Sequence, residues 1–304
     1  VVEDVPFATY PNFNVHASYV QAAVDVGFNA FSLANNHTND QGKTGIRATK
    51  KYFDSLIYST ATSSRPVYAA GFKDNAGDPL SYQVIDVAGW KILFCAITEI
   101  LNTGIASSLI DYIPPSQRDR DSFVNEIEKL REEIKPDLFV LSLHCCEPEY
   151  ILTVDKKQEY WYYRLLSCGV DVLWANHPHV SKKWDLVCDG NKVPRKLIFY
   201  AMGNTISAQR TSPSFNNPAK NRDYTGDGYL ANVTFIKNEG AIQVALVDPY
   251  VLTTYIDQDR FYQIEVLDEG LAKRLEGQGR KIWADYLRKR EKLMKNIQGN
   301  LIWQ

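Results

Sequence analysis

The sequence predicts an α/β fold. Segments with helical spacing alternate with short apolar runs along most of its 304 residues, as in chains that build a sheet flanked by helices. Val170, Val172 and Leu173, with Trp174 and Ala175, form the short apolar run expected of a strand covered on both sides. Of the five histidines, His37, His144, His177 and His179 stand just past the C-terminal end of a predicted strand, and His16 does not. That rim is where open α/β sheets bind ligands, so convergence on one site is the economical reading.

In chain order, Val1–Phe13 reads as a loop with Pro6 and Pro11. Val20, Ala23 and Val24 give Val15–Val26 helical spacing, and Gly27 stops that helix. Phe28–Leu33 is a strand ending in Asn35, Asn36 and His37. A turn through Asn39, Asp40 and Gly42 leads to a helix over Thr44–Leu56. Pro66–Gly71 is a short strand, and Leu80–Val87 pairs with Trp90–Ile97 around Ala88-Gly89. Thr98–Gln117, with Gly104, Pro114 and Pro115, is long enough to form a lid or binding surface. Phe123, Ile127, Leu130 and Ile134 make Asp119–Ile134 amphipathic.

Leu138–Leu143 is a strand leading to His144, and Asp155–Cys168 is a helix whose Tyr160, Trp161 and Tyr163 read as core. After the His177 turn, Trp184–Cys188 and Lys196–Tyr200 are strands about Asp189-Gly190-Asn191. Gln209–Asp227 is a long polar loop or mobile flap. Gly228–Ile236 and Ala241–Val247 form a hairpin, Phe261–Val266 a strand, and Glu269–Asn296 a long charged helical region carrying Leu271, Leu275, Ile282, Leu287 and Met294. With no composition shift, a single domain over 1–304 is expected, with 268–304 as a C-terminal helical extension.

Composition excludes some functions. The chain is 45% hydrophobic and 23% charged with net charge −2, without the basic face of a nucleic-acid binder. It has no apolar run of 18 or more residues, so no membrane span is expected. It opens on Val1, and the start of the natural product is expected upstream. Cysteines at 95, 145, 146, 168 and 188 do not form a disulfide framework. Cys95 and Cys168 read as buried thiols. Cys145 and Cys146 read as small residues lining a site in preference to soft metal ligands.

The strand-end cluster suggests metal chemistry. His177-Pro178-His179 alone is equally well a polar turn capping its strand. With the other histidines, Asn36 offers a neutral oxygen and His144, His177 and His179 offer nitrogens, a mixed set suited to Mn, Fe or Zn. Two such ions clamp a phosphoryl group and acidify a bound water. His37, pointing away from Asn36 along the chain, is placed to protonate a leaving oxygen. No bridging carboxylate is evident.

These residues carry a resemblance. Leu33-Ala34-Asn35-Asn36-His37 with Asp40 and Gly42, His144 with Glu149-Tyr150, Gln158, Asn176-His177-Pro178-His179-Val180 and Tyr200-Ala201-Met202-Gly203-Asn204 occur in the order seen in the bacterial capsule-synthesis, or poly-gamma-glutamate-synthesis, protein family. That family is similar to calcineurin-like metallophosphoesterases. The resemblance covers roughly Phe13 to Val247 and implies a four-layer α/β/β/α sandwich. It implies Asn36 as a metal ligand and His37 as general acid, with His144 and His177 on one metal and His179 on the other. Gly203 and Asn204 would flank the site and meet substrate.

Two departures stand out. The family's Gly-Asp metal ligand on the first strand, and the glutamate after it, should precede Asn36; no Gly-Asp is present there, and Glu3 and Asp4 do not match the glutamate's spacing. The first strand is therefore expected to be missing from this chain, or the site incomplete. In place of the family's Trp-Gly after the strand-end histidine stands Cys145-Cys146.

The resemblance implies a metal-dependent hydrolase with two divalent ions, acting on a phosphoester-like or anionic polymer substrate. It would work beside a membrane-bound polymer-synthesis complex, at the cell envelope through a segment outside this chain. The alternative is a non-catalytic metal-binding component of a polymer synthesis or export complex. A structural domain whose histidines do not converge is the third reading.

Overall fold

A computed structural model describes residues 1–2, 5–238, 240–295 and 299–303, the last five by backbone alone. Glu3 and Asp4, weighed above as acidic ligands, lie outside the described residues. The chain forms two compact units: Val1–Cys146 with Ser167–Val170, and Glu147–Leu166 with Asp171–Gln304. The architecture is mixed α/β.

In the first unit the elements are α1 (Ala17–Asp25), β1 (Ala30–Ser32), α2 (Gly42–Thr60), β2 (Tyr68–Ala70), β3 (Tyr82–Val87), β4 (Trp90–Thr98), α3 (Gln117–Ile134) and β5 (Leu138–His144). Strand β4 runs antiparallel to β3 and parallel to β5, and the register sets Thr98 opposite His144 at the shared C-terminal end. Residues Leu93–Ile97 of β4 are all buried, as expected of a strand covered on both faces. Helix α3 buries Phe123, Val124, Ile127 and Leu130 and is capped by Ser116, whose hydroxyl accepts from Asp119 N. His16, the histidine away from any strand end, is the N-cap of α1. Strands β1 and β2 pair in parallel. Just past β2, Gly71 sits at φ +124° with its Cα against Ala34, where a side chain would meet Ala34 N at 2.6 Å.

The second unit holds α4 (Lys156–Ser167), β6 (Val172–Asn176), β7 (Trp184–Cys188), β8 (Pro194–Phe199), β9 (Asp227–Asn238), β10 (Ala241–Ile256), β11 (Tyr262–Val266), α5 (Glu269–Gly277), α6 (Lys281–Met294) and β12 (Gly299–Trp303). Strands β6 and β8 are parallel, β8 and β7 antiparallel, and β7 and β12 parallel. Strands β9, β10 and β11 form an antiparallel meander.

Several expectations need correction here. Strand β10 runs on to Ile256, because its second half pairs with β11. The long helical region breaks after Gly277. Gly279 takes φ +77°, Arg280 N donates to Leu275 O and Gly279 N to Glu276 O, a Schellman closure that ends α5 before α6 begins. Both helices are core elements: Leu271, Leu275, Tyr286, Leu287 and Met294 pack with Tyr224, Tyr255 and Leu267, while Ile282 is exposed. Trp161 and Tyr162 are the buried aromatics of α4, whereas Tyr160 is exposed. Cys95 is buried as expected, but Cys168 only half so.

The polar segment Gln209–Asp227 is tied down rather than flap-like. Arg210, 3% exposed, donates through Nη1 to Asp227 Oδ1 (2.8 Å) and Asp223 O (3.1 Å), and through Nη2 to Thr253 Oγ1 (2.7 Å). Arg290, fully buried, reaches Asp227 Oδ2 at 2.6 Å and Pro218 O at 2.6 Å. Tyr286 OH donates to Asp223. One buried carboxylate thus compensates two buried guanidinium groups on different elements. Removing one partner of such a cluster leaves uncompensated charge in low dielectric, a loss of roughly 3–5 kcal/mol. Asp227→Ala is expected to lower unfolding free energy by about that amount in urea denaturation; a loss under about 1 kcal/mol would show that the cluster does not hold the segment.

Candidate functional site

In the first unit, the residues after β1 fold into a turn locked by their own side chains. Asn35 Oδ1 accepts from His37 N at 2.8 Å, while Thr38 Oγ1 accepts from Asn35 N and donates to Leu33 O, each at 2.8 Å. This explains the Asn-Asn-His-Thr run locally. The turn puts Asn36, 6% exposed, against the C-terminal end of β5: Asn36 Oδ1 stands 3.0 Å from His144 Nε2. Asn36 Nδ2 donates to Asn102 Oδ1 at 3.1 Å, which turns the Asn36 oxygen toward the histidine. Asn102 N also donates to Asn36 O, and Asn39 Nδ2 donates to Thr103 O and Ile105 O. The start of the Thr98–Gln117 connection is therefore fastened to the turn.

His37 points elsewhere. Its Nδ1 stands 2.7 Å from Asp40 Oδ2, and its ring packs edge-on against Phe13 at 4.6 Å. Asp40, which also accepts from Phe13 N, fixes the imidazole through Nδ1, and Asn102 Nδ2 lies 3.1 Å from Nδ1 and 3.4 Å from Nε2.

Behind His144, Glu99 N donates to the histidine carbonyl at 2.9 Å. The Glu99 carboxylate is held by Arg120 Nε at 3.0 Å and accepts from Cys146 N. Burial, then the Glu99 charge, pushes the Cys146 thiol up to about 11.

In the second unit, β6 delivers His177-Pro178-His179 at its C-terminal end. His177 has φ +128° and His179 φ +60°, both in the region that favours glycine. Tyr150, at φ +65°, donates its N–H to Pro178 O at 2.8 Å and stacks on His179, ring centroids 5.9 Å apart and planes 19° apart. His179 Nδ1 lies 2.9 Å from Asn204 Oδ1, and Asn204 Nδ2 donates to Thr225 O at 2.9 Å. With the amide so fixed, His179 donates from Nδ1 and keeps a lone pair on Nε2, the tautomer a metal-binding imidazole needs. The rings of His177 and His179 are 6.2 Å apart. Asn204 thus contacts His179, and Gly203 at φ +73° is bridged to Gly228, where a side chain would meet Asp227 O at 2.6 Å.

Just beyond the turn, Lys182 Nζ lies 3.0 Å from Glu147 Oε2, both side chains 1% exposed, in ion-pair contact without hydrogen-bond alignment. Sequence reading missed Asn102, Glu99, Glu147, Lys182 and Arg222, whose ionic and polar partners are far away in the chain. Tyr150 and Asp40 were visible only as members of ordered motifs.

The donors fit a metal in part. The 3.0 Å between Asn36 Oδ1 and His144 Nε2 is close to the ~3 Å expected for two ligands at ~2.1 Å from one ion and at right angles. None of the candidate donors is a carboxylate. Among the described residues no group of three or more His, Cys, Asp or Glu side chains is placed to hold a metal ion.

Residues 2–209 match the model of the bacterial capsule synthesis protein family, and the chain belongs to that family. It is 26% identical over 259 residues to the capsule biosynthesis protein CapA of Bacillus anthracis, covering 82% of this chain and 57% of that protein. It is 25% identical over 192 residues to the PGA biosynthesis protein CapA of Bacillus subtilis (strain 168), covering 62% and 45%. The chain spans about half the length of these curated relatives. A solved structure of a hypothetical protein from Thermus thermophilus is similar with a TM-score of 0.44 and 17% identity, covering 78% of this chain and 81% of that one. No helix among the described residues is long and apolar enough to cross a membrane.

Backbone strain at the histidine turn gives a direct test. A non-glycine residue in this region costs on the order of 1–3 kcal/mol, which glycine relieves. His177→Gly is expected to be about 1–2 kcal/mol more stable than His177→Ala in urea denaturation. A glycine variant less stable than the alanine variant would mean that the turn is not strained.

Proposed function

We propose that this chain is a metal-dependent hydrolase of metallophosphoesterase type, working in capsule or poly-gamma-glutamate synthesis at the cell envelope. The four-layer α/β/β/α sandwich belongs to this reading. The observation that carries it is the pair of imidazoles held on glycine-type backbone at the end of β6, with His179 fixed in a ligand-competent tautomer by Asn204. Strain of this kind, where the neighbouring residues hold it in place, points to function rather than to packing.

Asn36, His144, His177 and His179 are the proposed ligands. Two divalent ions, Mn, Fe or Zn, would supply Lewis acidity and acidify a water toward neutral pH. Asn102 orients the Asn36 oxygen and Asn204 orients His179. His37, held through Nδ1 by Asp40, is the proposed proton donor to the leaving oxygen. The substrate is a phosphoester-like group or the anionic polymer itself, and the partners are a membrane-bound synthesis complex. A second reading, a non-catalytic metal-binding component of that complex, is favoured by one observation: no carboxylate joins the histidines in a cluster of three among the described residues.

Elemental analysis and turnover of a phosphodiester, on protein purified with Mn and without chelators, separate these readings. His177→Ala is expected to lose most bound metal. His37→Ala is expected to keep it while slowing turnover about 10²–10⁴-fold, the usual contribution of a general acid. Metal binding without turnover in the wild type supports the non-catalytic reading. Equal metal loss in both variants would refute the roles given to His37 and His177.

A further inference from the structure

Within the same unit as the histidine turn, the segment after Asn204 forms an open pocket of ≈ 260 Å³ lined by Gln209, Thr211, Ser212, Lys220, Arg222 and Asp223, among others. That is below the roughly 300–1,000 Å³ of pockets that enclose a whole small molecule, and suits one group of a longer chain.

Its charges are unequally matched. The Asp223 carboxylate already accepts from Tyr286 OH and from Ser214 N at 2.8 Å. Arg210, which also lines the cavity, is committed to Asp227. Lys220 and Arg222 are exposed and have no carboxylate partner among the described residues. Glu149 and Arg222 both bond the Tyr150 side chain, so one carboxylate stands near the Arg222 end without ion-pairing it. The cavity thus presents two cations outside any ion pair, together with hydroxyls, the chemistry that recognises an oxyanion.

Arg222 also connects this cavity to the histidines. Its guanidinium lies 3.9 Å from the Tyr150 ring centroid, and Tyr150 stacks on His179. Gln209 Nε2 reaches Tyr150 OH at 3.4 Å, and Gln209 Oε1 accepts from Asn204 Nδ2 at 3.2 Å. Asn204 is the residue that orients His179. Two independent paths therefore run from the cavity wall to the same imidazole.

We propose that this cavity binds an oxyanion of the substrate, a carboxylate or a phosphate, through Arg222 and Lys220, and that the Arg222–Tyr150–His179 stack sets that group beside the histidine turn. The assignment deepens the functional reading above and rests on it for the identity of the polymer.

Titration calorimetry on the full chain tests it, with a γ-linked glutamate oligomer and, separately, inorganic phosphate as probes. Arg222→Gln combined with Lys220→Gln is compared with Lys273→Gln combined with Lys281→Gln, which removes the same charge from exposed positions on α5 and α6. The first pair is expected to weaken binding tenfold or more and the second less than twofold. Loss confined to the oligomer identifies a carboxylate source, and loss confined to phosphate a phosphoryl source. Equal binding by both double variants, or no binding of either probe to the wild type, overturns the proposal. Bound metal is measured on the same samples. Wild type that binds an anion but holds no metal overturns the hydrolase reading and leaves the cavity standing; wild type that holds metal, with anion binding insensitive to Arg222 and Lys220, does the reverse.

Discussion

Left-handed backbone at His177 and His179 is the constraint on which the second unit's candidate site depends. Two bulky residues occupy conformations that glycine adopts freely, and Pro178 between them removes a backbone donor. Such a turn persists only where its surroundings over-determine it. Here Tyr150 N–H holds Pro178 O, the Tyr150 ring covers His179, and Asn204 Oδ1 accepts from His179 Nδ1. In return the imidazoles project from the end of a strand whose core residues, Leu173 and Ala175, are fully buried. A rigid strand thus sets where the ligand atoms stand.

The surroundings of that turn depend in their own right on buried charge. Asp227 opens β9 and receives both Arg210 and Arg290, so the polar segment before it is fixed near its start and at its end. Thr225, inside that segment, accepts the Asn204 amide through its carbonyl, and Arg222 lies over Tyr150. The ion cluster on one side and the histidine turn on the other therefore share one stretch of chain. In the first unit the corresponding device is smaller: side-chain to backbone hydrogen bonds from Asn35 and Thr38 shape the turn, and Asn102 orients the asparagine oxygen toward His144.

Much of this was legible in the sequence because it is local. Strand positions followed from apolar runs such as Leu138–Leu143, and the histidines' place at strand ends followed from counting along the chain. Two boundaries were misread for physical reasons. The Gly277 to Gly279 break lies inside continuous helical spacing, and the second half of β10 is specified by pairing with β11 rather than by its own pattern. What sequence could not carry was long-range polar pairing: Arg210 with Asp227 and Thr253, Glu99 with Arg120, Asn36 with Asn102. A polar stretch such as Gln209–Asp227 reads as mobile until the buried cations that anchor it are located, and no local signal marks an arginine as buried.

Crystals grown with Mn and measured at the metal's absorption edge would show whether the histidine turn holds a metal ion. Anomalous density is expected within ~2.3 Å of the His177 and His179 ring nitrogens, with the Asn204 contact to His179 Nδ1 retained. Well-ordered imidazoles in the same left-handed turn with no anomalous density beside either of them would contradict it.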